Sequence, residues 1–366
     1  MKKKYIATLG RTDSDYQRFG IERNNIALWE DGVRTTGKFG EYEWWYFDSK
    51  LDDGSSLVII FYTAPVTACS LGFAPTVSFS YTTKDGEFIT ESKNFKKKDA
   101  RYSNERCDVQ IGANTVSGDL NTYKLHYQSE RIQADLTLEN NTKSWRPEMG
   151  HIAFSKGKYF AWLPSVPEGK MKADLVIDGK EYHLTGTGYH DHNWGNIGMF
   201  WLMHHWYWGR AKIGDYQVIT SYITANEKHG YEHFPIFWIA KDGVKLADDG
   251  YKVTYSQLDE AFDPITGKHY HKKLIYDYKD ENCRYRITYQ MQDILEYFNL
   301  ERADENAAAK CPKALVWLVK SVGLAPSYIR MVGEATLEKM DGNTVVEKVS
   351  APAIWEQMYF GKDADV

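Results

Sequence analysis

Paired cysteines are missing from this sequence. Its four thiols, Cys69, Cys107, Cys283 and Cys311, are scattered without any C-x-x-C spacing, which excludes the common zinc and dithiol redox motifs and leaves free buried thiols as the reading. Basic runs are equally scarce. The nearest to one, Lys96 to Lys98, reads as a solvated loop, and with a net charge of -5 the chain has no electrostatic footprint for nucleic acid. Long apolar segments are absent too: residues 57–79 are interrupted by Pro65, Pro75 and several hydroxyl residues, so no transmembrane helix is expected there. The opening MKKKYIATLGRTDSD is basic, but Arg11 and Asp13 break it before it reaches the length of a signal-peptide core. A cytoplasmic protein is expected. No Gly-rich phosphate loop, G-x-S-x-G elbow or Ser-His-Asp order occurs, so nucleotide binding and acyl transfer have little support, and no cofactor is expected.

Aromatic residues, by contrast, are abundant. They make up 15% of the 366 residues, with 12 Trp, 26 Tyr and 16 Phe, which favours β architecture or an aromatic-lined cavity. The length predicts two domains, 1–196 and 197–366, with the boundary after the Gly195-Asn196 turn. Most segments alternate with period two between turn residues: Asp53-Gly54, Asp85-Gly86, Asp178-Gly179, Asp242-Gly243 and Asp341-Gly342. That is the pattern of an antiparallel meander, and closure into barrels would remove its exposed edges. One segment departs from it. Residues 303–323, with good helix formers, Pro312 near a helix start and Gly323 then Pro326 as a stop, predict a single C-terminal helix.

The densest chemistry lies in GTGYHDHNWGN, residues 186–196. Gly186 and Gly188 permit close approach of backbone. In an extended run Tyr189, Asp191 and Asn193 face one side, and His190, His192 and Trp194 the other. A carboxylate enclosed by aromatic rings loses hydration and holds its proton to higher pH, which makes Asp191 a candidate general acid, with Tyr189, His190 and His192 beside it. The bland alternative is that these groups brace a strand-end turn. A metal reading draws on His190, His192 and either His204 or His205. No H-x-x-x-H or cysteine pair completes it, so a metal-free site is expected.

Two further aromatic clusters are candidate substrate-binding walls. In EYEWWYFDSKLDDG, Glu43, Trp45 and Phe47 share one strand face, and the choice lies between an enclosed pocket and a sheet buried on both sides. In FWLMHHWYWGRAKIGDYQVITSYI, Trp206, Trp208 and Tyr222 would wall a cavity or form core. Alternation sends His204 and His205 to opposite faces.

EWWYFDSKLDDG followed by GTGYHDHNWGN resembles the family that includes carotenoid 1,2-hydratase (hydroxyneurosporene synthase) and the AttH-like proteins. The resemblance runs from Gly40 to Gly361 and closes with SAPAIWEQMYFG. It implies two lipocalin-like β-barrels packed together, an all-β fold with a ligand cavity between or within them. Tyr189 and Asp191 match the Tyr-x-Asp part of the hydratase motif, and Trp162 lies where an upstream aromatic site residue is expected, with Phe160 in place of a preceding histidine. The expected site therefore comprises Asp191, Tyr189, His190 and His192 as catalytic groups and Glu43, Trp45, Trp162, Trp194, Trp206, Trp208 and Tyr222 around an apolar or aromatic small molecule. The leading functional reading is a cofactor-independent hydratase or isomerase in which Asp191 protonates a double bond. The alternatives are a pericyclase, which folds a polyene into a reactive conformation, and a carrier that binds an apolar metabolite without turnover.

Overall fold

The computed structural model describes residues 5–155, 157–299, 326–361 and 363. The chain divides into two compact units, Thr8–Met199 and Phe200–Val366 with Met1–Ala7. The expected helix over 303–323, together with Cys311, lies outside the described residues. No helix among the described residues is long and apolar enough to cross a membrane.

In the first unit, one antiparallel sheet carries Phe88–Asn94 at one end. It passes through Thr76–Thr82, Ser56–Ala64, Tyr42–Leu51, Lys180–Gly195, Lys158–Ile177 and Ile132–Asn140, and ends at Ala100–Tyr102. The two end strands are consecutive in sequence, joined by residues 95–99, so the chain itself spans the seam. Across the interior Tyr102 donates to the carbonyl of Tyr62 at 3.1 Å, and the rings of Phe79 and Tyr127 stack at 5.0 Å. The sheet is therefore curled around a core of alternating residues such as Trp45, Phe47, Ile59, Phe61, Val77 and Phe79. The second unit repeats the circuit. Its first strand, Met203–Ile213, pairs with its last, Thr344–Tyr359, and its end strands Val244–Ala247 and Val253–Asp263 are again neighbours in sequence. Each unit has the up-and-down order of a lipocalin-like barrel.

Local chemistry sets the turns. Asp178 and Gly179 have φ of 49° and 79°, and Asp242 and Gly243 repeat this at 51° and 77°, as type I′ hairpin turns require. Two prolines, Pro164 and Pro167, fall inside the long strand Lys158–Ile177, where each removes a ladder donor. The register of that strand shifts between Leu163, Val166 and Gly169, the irregularity that lets a central strand carry proline. Asn140, Ser144 and Trp145 take the carbonyls so released, with the Ser144 hydroxyl 2.6 Å from the oxygen of Ser165.

Close approach at the glycines follows the expected pairing. Gly186 lies opposite Leu51, and a Cβ there would sit 2.2 Å from the carbonyl oxygen of Lys50. At Gly188 a Cβ would instead meet the side-chain ends of Leu138 and Met171, at 2.6 and 3.2 Å. Gly186→Ala is thus expected to lower stability by about 1–3 kcal/mol, and more than Gly188→Ala, because backbone yields less than a methyl end. Urea unfolding midpoints check this order; an unchanged midpoint for Gly186→Ala would contradict the contact.

Candidate active site

The strand Lys180–Gly195 sorts its side chains onto two faces. On the face turned from the barrel interior, Asp191 accepts from the Trp162 indole and the Tyr189 hydroxyl, both 2.8 Å from Oδ2, and from the Asn193 amide, 2.6 Å from Oδ1. Trp162 reaches Asp191 because it pairs with Asn193 on the neighbouring strand, one diagonal step along the same face. Burial pushes the Asp191 carboxyl up to about 6, opposed by its three donors. The result is a dry carboxyl that exchanges its proton near neutral pH.

Trp162 also belongs to a cavity of about 240 Å³, walled by rings that include Phe19, Trp29, Tyr159 and Trp194. Its polar lining is unusual. Arg146 and Glu30 form a buried ion pair at 2.9 Å, and the Arg146 Nε–H has no partner. His151 stacks between Phe19 and Tyr159, at 4.6 and 4.5 Å, and burial lowers it to about 4, so it is neutral at physiological pH. The volume lies below the roughly 300 Å³ at which drug-sized ligands are usually housed, which suits one end of a larger molecule.

The opposite face of the same strand enters the barrel. His190 stacks on Phe47 at 3.9 Å and His192 on Trp45 at 4.7 Å. Glu43 is fully buried there and accepts from the backbone of Arg34 and Thr35, the Thr35 hydroxyl and the His192 ring. Asp31 accepts from the Tyr123 hydroxyl at 2.5 Å and lies 3.2 Å from His190 Nε2. These groups are enclosed by one another. None of Glu43, Trp45, Tyr189, His190, Asp191 and His192 lines the cavity, whereas Trp162 and Trp194 do, and Asp191 is joined to it only through the Trp162 indole.

In the second unit, Tyr207 belongs to the core with Tyr222 packed against it, while Trp206 and Trp208 lie on the alternate face. Trp206 donates to Glu356 at 3.3 Å, and Tyr222 stacks on Tyr255 at 3.8 Å. Trp206, Trp208 and Tyr222 thus do not share one wall. His204 and His205 depart from strict alternation: a register shift between Met203 and His205 brings their Nδ1 atoms to 2.8 Å, and both are buried.

Several site residues escaped the sequence reading, above all Phe19, Trp29, Glu30 and Asp31 before the first barrel strand. A local signal existed. Thr12 and Asp15 form a capping box on the helix Asp13–Phe19, which Gly20 ends in the left-handed region, and this fixes Phe19. Arg146 and His151 carried no comparable signal, since their partners are distant in sequence.

The model of the family described as Diels-Alderase-like matches residues 15–349. The quinolone epoxide rearrangement protein asqO of Emericella nidulans is 26% identical over 232 residues, covering 55% of this chain and 58% of that protein. Hydroxyneurosporene dehydrogenase of Chlorobaculum tepidum is 24% identical over 215 residues, 47% of this chain and 54% of its own. The chain thus spans about half the length of the curated relatives it matches. Among solved structures, CghA with Sch210972 aligns over 98% of this chain and 100% of its own, with a TM-score of 0.61 and 13% identity, a likeness of fold.

Two stability measurements follow. Between the ordinary carboxyl value of 3.8 and about 6, folded Asp191 keeps a proton that the unfolded chain releases. Its contribution to stability therefore falls as pH rises through that window, by on the order of 3 kcal/mol in total. Asp191→Asn lacks this titration, so its unfolding free energy should gain on the wild type as pH is raised from about 4 to 7; a constant difference would show that Asp191 titrates normally. Arg146→Met, which strands the buried Glu30, should cost about 3–5 kcal/mol, and adding Glu30→Gln should restore part of it.

Proposed function

The chain belongs to the Diels-Alderase-like family, and on that premise we propose that it is a cofactor-independent enzyme of the isomerase or lyase type that rearranges or cyclises an apolar small molecule. The observation that carries this reading is the indole of Trp162, which walls an aromatic cavity and donates to the buried Asp191. Flat rings around a partly open volume select one folded conformer of a flexible substrate, and such preorganisation contributes several kcal/mol to an intramolecular reaction. Arg146 lines the cavity, and its guanidinium charge beside Glu30 would polarise a substrate carbonyl placed there, drawing electrons from the bonds being formed. Asp191 supplies or removes a proton where a rearrangement requires it. Epoxide-bearing quinolones and polyenes with a conjugated carbonyl are the substrate classes to try first, the former from the name of the asqO relative.

Hydration is the second reading, favoured by the Asp191 carboxyl itself. An acid with a value of about 6 beside indole and phenol rings is suited to protonate an alkene and face the resulting cation. The two readings differ in product mass, since a rearrangement or cyclisation keeps the mass of the substrate whereas hydration adds one water. Tight binding without turnover would instead support a carrier.

Asp191→Asn is expected to lower turnover by about 10²- to 10⁴-fold while ligand affinity survives. Tyr189→Phe should cost less, since it removes one hydrogen bond and keeps the ring. If the acid form acts, kcat/KM should be level below about pH 6 and fall above it; if the carboxylate acts, it should rise through the same point. Unchanged turnover in Asp191→Asn would end the role given to this carboxyl.

A further inference from the structure

The buried groups inside the first barrel do not serve the cavity, and their arrangement is not that of an ordinary hydrogen-bonded core. We propose that Asp31, Cys107 and His190, with His192 closing from beside them, hold a structural divalent cation, zinc by the chemistry of the donor set. Ligand atoms of Asp31, Cys107 and His190 lie within 4.8 Å of one another, and all three residues are buried. His192 lies outside that set but beside it: its Nδ1 is 3.5 Å from Asp31 Oδ1, and it would have to close onto the ion to serve as a fourth donor.

The tautomers carry the argument. His190 Nδ1 sits 2.9 Å from the carbonyl of Tyr46, which can only accept, so that nitrogen bears a hydrogen, and in the neutral ring Nε2 presents a lone pair. Nε2 nevertheless faces a carboxylate oxygen, 3.2 Å away. His192 repeats the pattern with its nitrogens exchanged. Its Nε2 donates to Glu43 at 2.7 Å, and its bare Nδ1 faces Asp31 Oδ1. Neither of those last two atoms has a hydrogen-bond partner, although both are buried. Lone pairs opposed at this distance in a dry interior repel unless a cation lies among them.

Protons on the rings would meet both contacts only with two imidazolium cations, His190 and His192, buried side by side against Asp31 and Glu43. One divalent ion would meet both with neutral rings. Imidazoles anchored through the far nitrogen by a carbonyl or a carboxylate are also the usual support of a metal-bound histidine. Charge balances as well. Binding releases the thiol proton of Cys107, and the thiolate with the Asp31 carboxylate then cancels the two positive charges, while the imidazoles stay neutral. Separations of roughly 3.3–3.8 Å between donors follow from tetrahedral bonds of about 2.0–2.3 Å, and the His192 to Asp31 spacing already falls in that range.

The test is metal content and cobalt spectroscopy on the whole protein. Protein purified without chelator should carry about one zinc per chain, and chelator under mild denaturation should remove it and lower Tm. Refolding with Co²⁺ should give tetrahedral d–d bands and a thiolate-to-cobalt charge-transfer band. Cys107→Ser should lose the charge-transfer band, and Glu43→Gln, which removes the anchor of His192, should weaken cobalt affinity by about 10- to 100-fold. If Cys107→Ser fails to fold, the wild-type spectrum alone decides. Folded wild-type protein that takes up neither zinc nor cobalt would show that protons hold the cluster together. A charge-transfer band that persists in folded Cys107→Ser would place the metal elsewhere. Either result overturns the proposal.

Discussion

The pairing of Tyr42–Leu51 with Lys180–Gly195 is the contact on which the first unit depends. It joins the first strand of the barrel to the last, across most of that unit's sequence, with Asp191 opposite Tyr46 and His192 opposite Trp45. Because side chains alternate along a strand, this one register sends the carboxyl of Asp191 to one face and both imidazoles to the other. A slip of one residue would exchange them and bury Asp191 in the aromatic core.

Burial acts on the two faces through different compensations. Asp191 is desolvated but keeps three donors, so its charged form is disfavoured without being excluded. That balance makes it chemically responsive. In the interior, Glu43 accepts from several donors and Asp31 from Tyr123, and of the side chains His190, His192 and Trp194 on that face of the strand only Trp194 lines the cavity. The interior cluster packs against the strand whose other face carries Asp191, the group proposed to react.

The aromatic excess is divided in the same way. Many rings fill the two barrels as core, such as Trp45 and Phe47 in the first and Tyr276 and Tyr289 in the second. A smaller set lines the cavity, with Phe19 and Trp29 from the segment before the first barrel strand, Tyr159 and Trp162 from Lys158–Ile177, and Trp194 from Lys180–Gly195. Phe19 comes from the end of a capped helix and Trp162 from the regularly paired stretch of its strand ahead of the register shift, and the two meet at the cavity.

What the sequence determined by itself was local. Asp-Gly pairs chose their turns because glycine and aspartate tolerate positive φ, and period-two alternation fixed which of residues 189–194 share a face. The all-β class and the Asp191 cluster were legible for that reason. Circuit closure was not, because the seam strands and the first-to-last pairing depend on contacts between segments far apart in the chain. Asp31 meets His190 across 159 positions, with no motif to announce it. The approach of His204 to His205 was also hidden, since it arises from a register shift that alternation does not predict. Only the tertiary structure could decide these, since strand register and bulge position are set by the packing of the whole barrel, whereas turn type and side-chain alternation need only a few neighbouring residues.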